Sequence, residues 1–106
     1  MTGKQATYNP TRNPYYLQQV KSASPQKIIL MLYELGLKGC RAKDRDLASK
    51  VLVELIAALD FQYQEIALPL FDQYRFALDL VHRDKFDYPS TMFQELRDVW
   101  KANISG

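Results

Sequence analysis

Cysteine, glycine, histidine and long apolar runs are all scarce in this chain, and each scarcity closes off a class of protein. The single cysteine, Cys40, allows no intrachain disulfide and gives no sign of an oxidising compartment. The lone histidine, His82, has no second ligand at metal spacing and reads as a surface residue near a helix end. Four glycines among 106 residues leave few positions for tight hairpin turns, which disfavours a many-stranded sheet. No apolar run approaches the ~20 residues that span a bilayer. The start from Met1 to Tyr16 is polar and marked by prolines, with no apolar signal core. A cytoplasmic protein without membrane insertion is the expectation.

Catalytic signatures are missing as well. There is no phosphate loop, no G-x-G-x-x-G and no G-x-S-x-G. Glu54, Glu65 and Glu95 fall on separate predicted helices without a shared motif. Cys40 lies beside Arg41, but no histidine is close in sequence, so it reads as a semi-buried structural thiol. The 14 basic and 12 acidic residues are interspersed and leave a net charge of +2. Nucleic acid is therefore not an expected partner. The densest mixture of charge, Lys38 to Lys50, reads as a solvated turn between helices. No enzyme activity, cofactor or metal is expected.

What the chain does have is apolar residues at helical spacing. At 106 residues it is one domain. Met1 to Asn13 reads as a flexible N-terminal arm, and residues 14–106 as a helical bundle domain. Pro10 and Pro14 break any continuous helix there, and the cluster Tyr15-Tyr16-Leu17 with Val20 is too short to be a stable helix unaided. Ser24-Pro25 is a good helix start, with serine as cap and proline in the first helical position. The run Ile28 to Tyr33 is apolar almost all round, which predicts a central helix ending near Arg41–Lys43. Gly36 and Gly39 share a face of it, and close approach of another helix is the natural compensation for their low helix propensity.

Asp44 or Asp46 is expected to cap a second helix to about Leu59, with Leu52, Leu55, Ile56 and Leu59 at i, i+3, i+4 and i+7. Asp60 can cap a third helix to about Arg83, carrying Ile66, Leu70, Tyr74, Ala77, Leu78 and Val81. Pro69 interrupts that pattern, either as a kink, the preferred reading, or because the helix proper starts there. Pro89 or Ser90 opens a last helix whose buried face is Phe93, Leu96 and Trp100, with Met92 and Val99 beside it. The architecture read from this is all-α, an antiparallel up-down four-helix bundle with a flexible N-terminal arm.

Asn13-Pro14-Tyr15, Gln19-Val20, Ser22-Ala23-Ser24-Pro25 and Ile28-Ile29-Leu30-Met31-Leu32-Tyr33-Glu34 follow one another in this order. Together they resemble the N-terminal signature of the flagellar secretion chaperone FliS family: N-P-Y, a Q-V pair, T-A-S-P, then L-I-L-M-L-Y-D. Leu59-Asp60-Phe61 resembles the family's L-D-F. Glu95-Leu96-Arg97-Asp98 with Trp100-Lys101 resembles its E-L-R-D-x-W-K ending. Against that pattern the first two helices are shortened at their shared hairpin, and Gln62-Tyr63-Gln64 stands where a glycine often follows L-D-F. Pro69 is no part of the pattern.

The resemblance implies a cytoplasmic chaperone that binds the disordered C-terminal segment of flagellin, or of another exported filament subunit. Such a chaperone keeps its client from polymerising early and passes it to the type III export gate. It also implies that the N-terminal arm can lie over the client groove. Tyr8, Tyr15, Tyr16 and Leu17 are then either groove-covering or simply extra core. Val51, Leu55, Ile56, Leu59, Ile66, Leu70 and Tyr74 are the client-binding candidates, against a default of core for most of them. Val51, Val53, Phe71 and Phe76 lie off the main stripes and look like leftover apolar surface for a helix-in-groove partner. A structural or regulatory bundle that binds another protein, or itself, is the alternative.

Overall fold

The computed structural model of the chain describes residues 25–105. Over these residues the chain forms four helices and no strand: α1 (Pro25–Arg41), α2 (Arg45–Ala57), α3 (Gln64–His82) and α4 (Asp87–Ser105). Tyr8, Tyr15, Tyr16 and Leu17, and the boundary between arm and bundle, lie outside the described residues.

Local chemistry sets each helix end. Pro25 opens α1, where the missing N–H has no intrahelical acceptor in any case. Lys43, at φ 56°, turns left-handed after α1. The Lys43 N–H then returns to the Cys40 carbonyl and the Asp44 N–H to the Gly39 carbonyl, a Schellman closure built without glycine. Asp84, at φ 59°, repeats the same closure after α3, with its N–H on Val81 and that of Lys85 on Leu80. Asp44 caps α2, its carboxylate accepting from the Leu47 N–H at 3.1 Å.

Two helix starts differ from the sequence expectation. Asp60 does not cap α3. Its carboxylate accepts from the Gln62 N–H at 3.0 Å, closing a local turn, so the chain stays non-helical until Gln64 and α2 stops at Ala57. The Tyr63 carbonyl takes the first bonds of α3, from Ile66 and Ala67. Likewise α4 opens at Asp87, so that Pro89 lies within its first turn, where N–H groups have no intrahelical partner. Pro69 lies inside α3, which is unbroken around it. Only the Glu65 carbonyl, close to the helix start, loses its partner to this proline.

The core comprises Tyr33, Leu37 and Cys40 of α1, Ala48, Val51, Leu52 and Leu55 of α2, Tyr74, Ala77 and Val81 of α3, and Met92 and Phe93 of α4, closed by Phe86. Each helix packs on its neighbours in the order α4, α1, α2, α3, and the α3–α4 seam is the most sparsely packed. Gln26 meets Trp100 while Gly36 meets Phe93, a descending register that sets α4 against α1 in opposite directions. The two Schellman turns lie side by side: Arg45 pairs with Asp84 at 3.6 Å and reaches the His82 carbonyl at 3.4 Å. Residues 41–46 are all exposed, but of the Lys38–Lys50 stretch read as a solvated turn only 42–44 are non-helical, and Gly39, Cys40 and Ala48 are buried.

Some burial differs from the sequence pattern. Ile28 to Leu32 are half-buried rather than central, and the covered part of α1 begins at Tyr33. Cys40 is fully buried, at 2 % exposure, rather than semi-buried. Val99 is exposed because it falls on the outer face of α4, one position round from Trp100. Val51 is core rather than leftover surface, whereas Val53 and Phe76 stand exposed as expected of residues off the stripe.

The two glycines mark close helix approaches. A Cβ on Gly36 would lie within 2.7 Å of three atoms of the Phe93 ring, and that ring is itself fully buried. On Gly39 it would lie 3.2 Å from the Ala48 nitrogen, a contact that a small shift relieves. Gly36→Ala is expected to destabilise the bundle by about 1–3 kcal/mol, the usual cost of overpacking, partly offset by ~1 kcal/mol of helix propensity. Gly39→Ala is expected to be near neutral. Urea unfolding midpoints of the two variants check the contrast, and equal effects would show that the Phe93 contact is not limiting.

Candidate functional site

The α2–α3 link swings wide where α2 stops at Ala57, and an apolar groove of about 230 Å³ opens beside it. One wall is the link and the start of α3, with Leu59, Tyr63, Ile66 and Leu70. The other is the first turns of α1 and the end of α4, with Ile29 and Trp100. The floor is Leu55, Tyr33 and Tyr74, each almost fully buried. Among the described residues that line it, Asp60 alone is charged. Ile66 is 65 % exposed and Tyr63 64 %, so the α3 wall stands in solvent.

The floor is held by polar bonds that need partners precisely because they are buried. The Tyr33 and Tyr74 hydroxyls bond to each other at 2.7 Å, joining α1 to α3 across the bundle. Tyr33 also meets Trp100 edge to face, with ring centroids 6.1 Å apart. The indole Nε1 of Trp100 donates to the Gln26 carbonyl at 2.8 Å, which fixes the end of α4 on the first turn of α1. Burial raises the hydroxyl pKa of Tyr33 above its ordinary value, an effect that the Tyr74 hydrogen bond partly opposes. For Tyr74 burial is again the largest cause, and both the charge and the hydrogen bond of Tyr33 push it further up. Burial and their mutual hydrogen bond thus keep both hydroxyls protonated well beyond ordinary pH.

Five of the sequence candidates meet here: Leu55 and Tyr74 in the floor, Leu59, Ile66 and Leu70 in the wall. Val51 does not. It faces inward between the helices at 2 % exposure and touches no open surface. Ile56 packs half-buried against the core without lining the groove. Ile29, Tyr33, Tyr63 and Trp100 line it without having been singled out. Trp100 carried a usable signal, because an amphipathic indole near a helix end needs one polar partner and one apolar surface. Among the described residues no cluster of three or more metal-ligating side chains occurs, and no helix is long and apolar enough to cross a membrane. Family models, curated proteins and solved structures give no match to this chain.

Removing one tyrosine hydroxyl strands the other in the core. Tyr33→Phe and Tyr74→Phe are each expected to cost about 1–3 kcal/mol, the range for an unsatisfied buried group, and the double variant clearly less than their sum. A double-mutant cycle by denaturant unfolding checks this, and strict additivity would show that the two hydroxyls are not coupled.

Alkaline pH tests the burial of these groups in a second way. The Cys40 thiol is pushed up from 9.0 to about 11 by burial. An acid whose pKa is higher in the folded than in the unfolded chain stabilises the fold fully below the unfolded value and progressively less as pH rises to the folded one. Stability is therefore expected to fall from about pH 9 upward, more steeply once the tyrosines join above their unfolded value. Cys40→Ala should move the onset upward by removing the first of these groups. Thermal melts between neutral pH and pH 11 check it, and an unchanged onset would rule out the thiol.

Proposed function

We propose that this chain is a non-catalytic export chaperone of the FliS type. In this reading it holds the disordered C-terminal segment of flagellin, or of another exported filament subunit, in the cytoplasm. It delays polymerisation and hands the client to the type III export gate. The observation that carries the reading is the open apolar groove beside the α2–α3 link, with a polar-bonded floor and an exposed α3 wall. Such a surface suits an apolar helix laid into it through i, i+3, i+4 and i+7 anchors. The resemblance of Asn13 to Glu34 to that family's N-terminal signature, with the shorter echoes at Leu59-Asp60-Phe61 and Glu95 to Lys101, supports the same reading.

A specific observation favours a second reading. Val53, Phe76, Tyr88 and Val99 are exposed and none lines the groove. Phe76 and Tyr88 stack edge to face across the loose α3–α4 seam, with centroids 5.1 Å apart. A folded partner, or a second copy of the chain, could use that surface instead. Concentration-dependent sedimentation separates this bundle from a monomeric chaperone.

Titration calorimetry of the full chain with a peptide of its host's flagellin C-terminal segment tests the chaperone. Saturable 1:1 binding with negative heat capacity is expected, together with helix gain in the peptide by circular dichroism. Ile66→Asp is expected to weaken binding about tenfold or more while leaving the unfolding midpoint nearly unchanged, because the side chain is mostly in solvent. Absence of binding by the unmodified chain would overturn the client assignment.

A further inference from the structure

From Val51 to Tyr74 the sequence carries four acidic residues, Glu54, Asp60, Glu65 and Asp72, and no lysine or arginine, in a chain whose overall balance is basic. All four acids are exposed. This stretch builds the link and the α3 wall of the groove, and Asp60 is the charged residue on its lining. Glu65 lines an adjoining depression together with Tyr63 and Ile66, which are shared with the groove. On the side of the link and α3, the apolar surface therefore ends among acidic residues with no lysine or arginine between Val51 and Tyr74.

We propose that the groove takes an apolar helical segment flanked by lysine or arginine, and that Asp60 and Glu65 select it by charge. This deepens the chaperone reading and rests on the same groove, but it concerns the chemistry of the occupant rather than its name. The apolar face supplies the area, while the acidic residues beside it supply the charge that discriminates between segments. Charge in such a position acts on specificity and association rate more than on total affinity. An acidic segment of equal apolarity is rejected because its carboxylates would meet Asp60 and Glu65 without an intervening cation.

The test uses two designed 14-residue peptides as probes, with blocked ends and leucines at i, i+3, i+4 and i+7. They differ only in carrying arginine or glutamate at the flanks. Fluorescence titration of the full chain at low salt is expected to favour the arginine peptide by about fivefold, as suits exposed ion pairs. The difference should shrink at high salt, where such pairs are screened. It should vanish in Asp60→Asn/Glu65→Gln, which keeps the side-chain oxygen that accepts from Gln62.

Equal binding of the two peptides overturns the proposal. So does binding of neither, as when the groove is already covered by other residues of this chain, and so does a dimer that dissociates on Ile66→Asp. If the flagellin segment binds but the peptides show no preference, charge selection fails and the chaperone reading stands. If the arginine peptide is preferred and the flagellin segment does not bind, selection is supported and the flagellin assignment fails.

Discussion

The approach of α4 to α1 at Gly36 is the constraint from which the rest of the bundle follows. With no Cβ at that position, the Phe93 ring seats directly on the α1 backbone and becomes fully buried. Gly36 lies three residues beyond Tyr33, and Phe93 seven before Trp100. These spacings return to one helix face, so the seating of Phe93 also brings Trp100 over Tyr33 and within bonding distance of the Gln26 carbonyl. Tyr33, fixed from that side, presents its hydroxyl across the core to Tyr74. One missing methyl group thus positions three of the four helices relative to one another. The short α2, capped by Asp44, completes the wall between them.

The groove follows from where α2 ends. The Asp60 side chain satisfies the Gln62 N–H locally, the Tyr63 N–H returns to the Asp60 carbonyl, and the chain turns rather than entering a helix before Gln64. That choice opens the link, lifts Tyr63 and Ile66 into solvent and leaves the tyrosine pair as a floor. Pro69 is compatible with this arrangement because it sits near the start of α3, where it costs a single carbonyl its partner. Further along the helix the same residue would have separated Tyr74 from the core.

Helix number, order and most of the buried face were legible in the sequence, because apolar periodicity reports which side of a helix meets others. Gly36 and Gly39 announced close packing correctly. What periodicity could not convey was depth. Val51 looked surplus to the α2 stripe yet is buried, since α2 is enclosed by α1 on one side and α3 on the other. Val99 looked buried and is not, because α4 meets α1 closely and α3 only loosely, leaving one flank bare. Helix starts were the weaker part for a different reason. Asp60 is as good a helix cap as a turn former, and its carboxylate accepts from the Gln62 N–H of a turn rather than from the first turn of a helix. In the groove, Leu59, Ile66, Leu70 and Tyr74 stood out from spacing alone, whereas Ile29 and Trp100 join it only through the tertiary contact of α1 with α4.

Size sets a further condition on any partner of this groove. At about 230 Å³ it falls below the ~300–1,000 Å³ of pockets that enclose a small ligand. It can hold a few side chains of a helix but not bury a whole molecule. A disordered segment that folds on binding must offset 2–5 kcal/mol or more of ordering, and a few side chains in a groove supply only part of that. Two features reduce the demand. The floor is buried and already tied together by the Tyr33–Tyr74 hydrogen bond, so most of the ordering falls on the partner. The exposed Tyr63 and Ile66, with Leu70 one turn beyond Ile66, carry the apolar surface along the first turns of α3. A partner that fits these conditions enters the groove at the link and continues along α3 as a helix, with its affinity spread over the α3 face rather than held in the groove.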